Sequence, residues 1–119
     1  MNFKYKLVMV IRDDLDLSTG KLAVQASHAA VSCAVECQKN NKRLFKRWMK
    51  EGQKKVLVKC DDAEHLESLR GLAVENGLIT KVVSDAGRTE VSEGTKTCLG
   101  IGPGPEDTVD KVTGDLSLF

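Results

Sequence analysis

Short, continuously apolar segments recur along this chain of 119 residues, and they limit its possible folds more than any other feature. The segments predict strands over residues 5–11, with Arg12 as an extension, and over 54–60, 78–85 and 95–103. Strands that are apolar on both sides are typical of a sheet covered on both faces. A chain of this length also favours one compact domain, here residues 1–119.

Helical periodicity and end signals fill the intervals between the predicted strands. We expect a long helix over about 20–38, capped by Ser18 or Thr19, and a second over about 42–51. A third helix begins at Asp61 or Asp62 and ends at Gly77. A short last helix opens with Pro105 and ends at Gly114. The order β-α-α-β-α-β-β-α predicts a single α/β domain with a four-stranded mixed sheet and helices on both faces.

The N-terminal segment and the cysteines bear on cellular location. No apolar run reaches the ~18 residues of a membrane span. The run Leu7 to Ile11 is followed at once by charged residues, so it indicates a buried strand and not a signal peptide. A cytosolic protein is therefore expected. Metal-type cysteine spacing is lacking, so the thiols are predicted to be reduced and to fill core space, with metal binding or redox chemistry as the alternative. They are Cys33, Cys37, Cys60 and Cys98.

The long helix carries a narrow polar stripe. At ~100° per residue, Lys21, Gln25, His28 and Ser32 fall within an arc of about 60°. The rest of the circumference is apolar or small, so we expect the helix to be packed on most sides. The stripe then either faces a cleft or forms the solvated edge of an amphipathic helix. Ser27 lies outside it and is expected to be buried, with its hydroxyl bonded to the backbone.

A second polar cluster follows the third predicted strand, in the segment Asp85 to Thr89. The carboxylate of Asp85 could accept a proton or orient a water. Thr89 and, across the predicted hairpin, Thr97 could donate hydrogen bonds. Asp-x-Gly is also ordinary turn chemistry, so a simple turn is the alternative.

The segment GIGPGP (100–105) does not match a phosphate-binding loop. Pro103 and Pro105 remove two backbone N–H donors, and Glu106 and Asp107 would repel an anion at the start of the next helix. We predict a rigid turn in which backbones approach closely.

The segment 39–55 is strongly basic, with eight Lys or Arg residues and one Glu, although the whole chain has a net charge of only +1. Arg43 and Arg47 lie beside a row of lysines on the second helix. This face is either simply solvated or meets RNA phosphates. Trp48 is expected to pack in the core.

Several long motifs, in order, resemble the archaeal and eukaryotic (type 2) peptidyl-tRNA hydrolases. The most specific are GKLAVQASHAA, DAGRT and LGIGPGP followed by DKVTGDL, and the similarity covers essentially the whole chain. It implies an α/β esterase that acts on peptidyl-tRNA without a metal or organic cofactor, and a possible homodimer. The functional positions that the resemblance implies are Lys21, Gln25, Ser27, His28, Asp85, Thr89 and Thr97.

A mechanism can be formulated on these residues. No Gly-x-Ser-x-Gly elbow is present, so we expect direct attack by water. Asp85 would orient or deprotonate that water, with Thr89 holding it. Lys21 would stabilise developing negative charge or bind the terminal phosphate. Gln25 and Thr97 would supply hydrogen bonds.

Three assignments are less determined by the motifs. His28 either positions a neighbouring group or is structural. Arg43, Arg47 and Arg88 are candidates for contact with the tRNA backbone. Two other classes of function compete with the esterase: a non-catalytic RNA-binding or protein-interaction module, and a thiol-dependent redox protein. The esterase requires Lys21 and Asp85 to meet in one pocket that solvent reaches.

Overall fold

The computed structural model describes residues 4–86, 91 and 93–119. A mixed sheet of four strands in the order β2-β1-β4-β3 forms its centre, as predicted. β1 pairs parallel with β2 and antiparallel with β4, which in turn pairs antiparallel with β3. The elements are β1 (Tyr5–Arg12), α1 (Thr19–Asn40), α2 (Lys42–Lys50), β2 (Lys55–Cys60), α3 (Ala63–Glu75), β3 (Thr80–Ser84), β4 (Lys96–Pro105) and α4 (Glu106–Thr113).

Each face of the sheet carries its own apolar core, because alternate residues of a strand point to opposite faces. On one face, Leu7, Met9 and Ile11 of β1 pack against small residues of α1 and against Trp48 of α2. On the other face, Val8 and Val10 pack against α3 and α4. Helices therefore cover both faces, and the near-continuous apolar sequence of β1 is explained. Trp48 is buried as predicted.

Side-chain caps set the helix starts. The hydroxyl of Ser18 accepts a hydrogen bond from the Lys21 backbone N–H at 3.3 Å, which decides between the two predicted caps of α1. Asp62 caps α3 in the same way through the N–H of His65, at 2.8 Å. The first cap matters more for the polar segment, because it fixes the start of α1 and so keeps Lys21 in the first helical turn.

The prediction of a turn at residues 100–105 is wrong, because β4 continues through this segment to Pro105. The β1–β4 register shifts between Lys6, opposite Gly104, and Val8, opposite Ile101. Pro103 falls within this shift, where its missing N–H removes no regular ladder bond. The predicted close approach of backbones is confirmed, because a Cβ placed on Gly102 would lie 2.7 Å from the carbonyl oxygen of Lys6.

The two edges of the sheet differ. Along β2, the C-terminal residues add backbone hydrogen bonds, from Lys59 N–H to Ser117 at 3.1 Å and from Phe119 N–H to Leu57 at 3.0 Å. β3 forms the opposite edge and is shorter than the predicted 78–85.

Among the described residues, no helix is long and apolar enough to cross a membrane.

Candidate functional site

The start of α1 and the end of β3 bring Lys21 and Asp85 together. The ammonium Nζ of Lys21 contacts carboxylate oxygen Oδ2 of Asp85 in an ion pair. The Asp85 side chain is 1% exposed and that of Lys21 is 14% exposed. The carboxylate is thus buried, and Lys21 is the member of the pair whose side chain keeps some exposure to solvent. The two side chains therefore meet, which is the first part of the spatial requirement stated from the sequence.

The backbone around Asp85 holds the carboxylate in place. Its N–H donates to the carbonyl of Thr95 and its carbonyl accepts from the N–H of Gly94, both at 2.8 Å. These bonds extend the β3–β4 hairpin by one residue beyond Ser84. A carboxylate so fixed can orient a flexible lysine side chain.

The electrostatics of the pair follow from its position on α1. A lysine in the first helical turn lies near the positive end of the helix dipole, which is unfavourable for a cation. Asp85 offsets this cost and that of partial burial. An ammonium has three N–H donors and no acceptor, so Lys21 can bind the carboxylate and a second anionic oxygen together. The arrangement is therefore suited to stabilising negative charge.

Gln25 and Thr97 form a buried pair next to the ion pair. The amide Nε2 of Gln25 donates a 2.6 Å hydrogen bond to the hydroxyl of Thr97, which donates to the carbonyl of Val83 at 3.3 Å. Gln25 is 3% exposed and Thr97 is fully buried. The two side chains therefore connect α1 to β4 and β3, one turn beyond Lys21.

Ser27 and His28 lie on the surface of α1. The prediction that Ser27 is buried is wrong, because its position faces away from the sheet. The predicted backbone bond is confirmed, since its hydroxyl donates to the carbonyl of Ala23 at 2.7 Å. His28 is exposed in the same arc as Lys21, so it is not a core histidine. Two further candidates, Arg88 and Thr89, lie outside the described residues.

The face of α1 that points away from the sheet carries exposed valines. We expected packing on most sides of this helix, but Val24, Val31 and Val35 are 48%, 63% and 43% exposed. These three residues form a valine ridge within an arc of about 40° next to the arc of Lys21 and His28. The reason is that α1 contacts the sheet on one side only. An exposed apolar surface beside a polar site indicates contact with a ligand or partner.

An ion pair between Glu36 and Lys81 was not recognised from the sequence. Their side chains meet at 2.9 Å and join α1 to the edge strand β3. The Lys81 ammonium lowers the pKa of the Glu36 carboxyl below its ordinary value. Glu36 lies within about 20° of Gln25 around the helix, so the periodicity contained a usable signal. Its partner could not be found without the sheet register.

Arg43 and Arg47 are exposed on α2 and are not brought to the Lys21–Asp85 pair. They lie beyond the far end of α1, a helix of 22 residues. At ~1.5 Å per residue, the end of α1 from which α2 continues lies about 30 Å from Lys21. With Tyr5, Asn41 and Pro105 they line a shallow surface recess.

The four cysteines are buried free thiols, as predicted. Burial raises the pKa of both Cys33 and Cys98 to about 12. A thiol with so high a pKa forms little of the reactive thiolate at neutral pH. The thiol-dependent redox function is therefore disfavoured.

Comparisons of the sequence with known proteins all match peptidyl-tRNA hydrolases over nearly the whole chain. The family model described as peptidyl-tRNA hydrolase PTH2 matches residues 5–119. A peptidyl-tRNA hydrolase of Thermococcus onnurineus is 53% identical over 116 residues, which cover 98% of each chain. One from Thermoplasma acidophilum is 42% identical over 96% of this chain and 97% of its own. The human protein named peptidyl-tRNA hydrolase 2, mitochondrial, is 47% identical over 98% of this chain and 65% of its own length.

Proposed function

This chain belongs to the PTH2 family of peptidyl-tRNA hydrolases, which release tRNA for reuse in translation by cutting the peptide ester, and we propose that the Lys21–Asp85 pair performs that hydrolysis. The observation that carries the proposal is the ion pair, in which a buried carboxylate holds the ammonium of a partly exposed lysine side chain. Family membership also favours the enzyme over a non-catalytic RNA-binding module.

The chemistry requires stabilisation of negative charge. When water attacks the ester carbonyl, its oxygen becomes an oxyanion, and the ribose oxygen must then leave. Lys21 donates to one of these oxygens or to the adjacent phosphate, while Asp85 fixes the direction of the ammonium. Asp85 also orients the attacking water or accepts its proton; because its side chain is 1% exposed, this step requires substrate binding to bring that water to the carboxylate.

Gln25 and Thr97 act as positioning residues in this proposal. Both are buried and hydrogen-bonded to each other, which supports an indirect role and not direct contact with the substrate. Their bond sets the distance between α1, which carries Lys21, and β4, which pairs with the strand before Asp85. Thr89 remains assigned to holding the water, as its motif suggests.

In this proposal, exposed residues near the Lys21–Asp85 pair contact the substrate. His28 lies on the Lys21 side of α1 and positions the 3′ end of the tRNA, with Ser27 on the adjoining surface. Arg88, next to Thr89 in the sequence, contacts a phosphate.

The tRNA body extends from the ester to α2. Arg43 and Arg47, on the helix that continues from the end of α1 about 30 Å from Lys21, contact backbone phosphates, which a tRNA is long enough to reach from the same ester. Contacts to phosphate weaken as salt increases, because bound counterions are released. Arg43→Ala/Arg47→Ala should raise KM and reduce its salt dependence without changing kcat, and Arg70→Ala on α3 is the control. An unchanged salt dependence would contradict the tRNA contact.

The catalytic assignment is tested with purified protein on peptidyl-tRNA. Lys21→Ala and Asp85→Asn should each lower kcat by about 10²–10³, the usual cost of losing an electrostatic donor. Lys111→Ala, at an exposed position of α4, is the control and should keep wild-type kcat. Near-normal turnover in both site variants, with correct folding by circular dichroism, would exclude this pair as the catalytic centre.

Two further parts of the proposal concern the protein in the cell. We place it in the cytoplasm, where stalled peptidyl-tRNA is produced, and cell fractionation tests this. The resemblance suggests a homodimer, which sedimentation velocity would reveal as a species of twice the chain mass.

A further inference from the structure

We propose that the peptide part of the substrate binds along the outer edge of β3 as an added parallel strand, in the groove between that edge and the valine ridge of α1. The proposal rests on the assignment of the ester to the Lys21–Asp85 pair. It assigns a binding site for the peptide, whereas the residues discussed so far act on the ester and the tRNA.

The first support is the position of β3 at the edge of the sheet. The N–H of Gly102 donates to the carbonyl of Ile79 at 2.9 Å, just before the strand. Antiparallel strands use alternate residues for such pairs, so Lys81 and Val83 also turn their backbone groups towards β4. The backbone groups of Thr80 and Val82 then point outward. Within the described part of the chain, β3 has β4 as its single strand neighbour.

The second support is the direction of this edge relative to the ester. β3 ends at Ser84, directly before Asp85. If the ester carbonyl lies at Asp85, the C-terminal end of the peptide is located there, and the preceding residues run back towards Thr80. The peptide therefore runs parallel to β3. At ~3.3 Å per residue, the five residues of β3 provide room for about four or five peptide residues.

The third support is the lining of the groove. Val31, Ser32, Val35, Glu36 and Lys39 of α1 face Lys81 of β3 across it. The ion pair between Glu36 and Lys81 joins the two walls at 2.9 Å. Two valines of the ridge, Val31 and Val35, line this groove, and they supply apolar surface along the part of it that Lys81 borders.

This mode of binding suits the chemistry of the substrate. An enzyme that removes peptides from tRNA meets many peptide sequences, so it cannot depend on particular side chains. Strand addition uses main-chain hydrogen bonds, which every residue except proline can donate. The exposed valines then contact the side chains of alternate residues without demanding a specific one.

A substrate series provides the first test. N-acetyl-aminoacyl-tRNA, with one residue, reports the ester site alone, and tripeptidyl- and pentapeptidyl-tRNA also occupy the groove. We expect KM to fall as the peptide lengthens to about five residues and then to stay constant. N-methylation of alternate peptide nitrogens should remove this gain. A KM that is independent of length and of N-methylation would overturn the proposal, even with full activity on the one-residue substrate.

Variants of the ridge provide the second test. Val31→Asp should raise KM for pentapeptidyl-tRNA by about tenfold, the scale expected for losing contact with one valine side chain. It should leave the one-residue substrate unaffected. The matched control is Val74→Asp on α3, on the opposite face of the sheet, because Val74 is 51% exposed and lies away from the groove. Val35→Asp offers a second ridge variant if Val31→Asp unfolds.

The competing occupant of this surface is a second copy of the chain. Sedimentation velocity on Val31→Asp separates the two cases. Loss of a dimer, together with an unchanged length dependence of KM, would assign the ridge to the dimer and overturn the proposal. A changed length dependence with an unchanged oligomeric state would support the peptide site.

Discussion

The ammonium of Lys21 contacts Oδ2 of Asp85 across the junction of α1 and β3, and the carboxylate is the more deeply buried partner. Residues that act as one unit do not contribute additively to catalysis. The double variant Lys21→Ala/Asp85→Asn should therefore have a kcat within a few-fold of the slower single variant. Single-turnover assays on peptidyl-tRNA measure this. Losses that multiply in the double variant would mean that the two residues act independently.

The hydrogen bond between Gln25 and Thr97 leads to a prediction about stability and rate. Thr97→Val leaves the buried Gln25 amide without its acceptor, so the free energy of unfolding should fall by about 1–3 kcal/mol. The position of Lys21 changes as well, so kcat should fall several-fold. Urea denaturation and steady-state assays measure both quantities.

The matched control for Thr97 is Thr113 in α4, which is buried and donates to the carbonyl of Val109 at 3.3 Å. Thr113→Val should lose some stability and keep wild-type kcat. If both variants lowered kcat equally, the effect of Thr97 would be one of general stability.

The close contact at Gly100 predicts a sensitive position in the core. An added Cβ would lie 2.5 Å from Cys33 Sγ and 3.1 Å from the Ala29 carbonyl oxygen. Gly100→Ala should therefore lower the free energy of unfolding by about 1–3 kcal/mol through overpacking. Combining it with Cys33→Ala should recover part of that loss.

A helical glycine in open space provides the comparison. A Cβ on Gly71 of α3 meets nothing within 4 Å, so Gly71→Ala should stabilise the protein by up to ~1 kcal/mol. Equal stability changes at Gly71 and Gly100 would mean that the core can adjust to the extra methyl group. Thermal unfolding distinguishes the two outcomes.

The buried thiols predict a dependence of stability on alkaline pH. Burial raises the pKa of Cys33 and Cys98 from 9.0 to about 12. The unfolded chain therefore loses these protons first, and stability present below pH 9.0 should decline as the pH rises towards 12. The variant Cys33→Ala/Cys98→Ala should show a smaller decline between pH 8 and 10 in urea unfolding. An identical decline in both proteins would show that other groups cause it.

Retention of activity by that variant addresses the redox alternative. If the thiols only fill space, Cys33→Ala/Cys98→Ala should be less stable but should hydrolyse peptidyl-tRNA at near wild-type kcat. Loss of turnover in a folded variant would restore the thiol-dependent function.

Local patterns predicted the elements well, since they depend on neighbours in the chain. The apolar run of β1 and the cap of α1 are features of a few adjacent residues: the strand was placed correctly, and the cap was narrowed to Ser18 or Thr19. The segment 100–105 was misassigned because proline usually interrupts a ladder. Only the pairing with β1 shows that Pro103 falls where the register shifts.

For the candidate site too, the sequence identified residues, whereas the contacts between them required the structure. Helical periodicity and motif resemblance identified Lys21, Gln25 and Asp85 from the sequence. The hydrogen bond from Gln25 to Thr97 could not be predicted, because the two residues meet only through the packing of α1 on β4. The same is true of the bond between Glu36 and Lys81.

The amino-acid sequence alone determined the order of helices and strands, the two polar segments at Lys21 and Asp85, and the resemblance to a family. Each depends on spacing along the chain, which periodicity and capping express directly. The tertiary structure decided which partner each polar group meets, which valines of α1 remain exposed and which strands lie at the edges of the sheet. These properties depend on how α1 lies across the sheet, and that arrangement arises from long-range packing of both faces together.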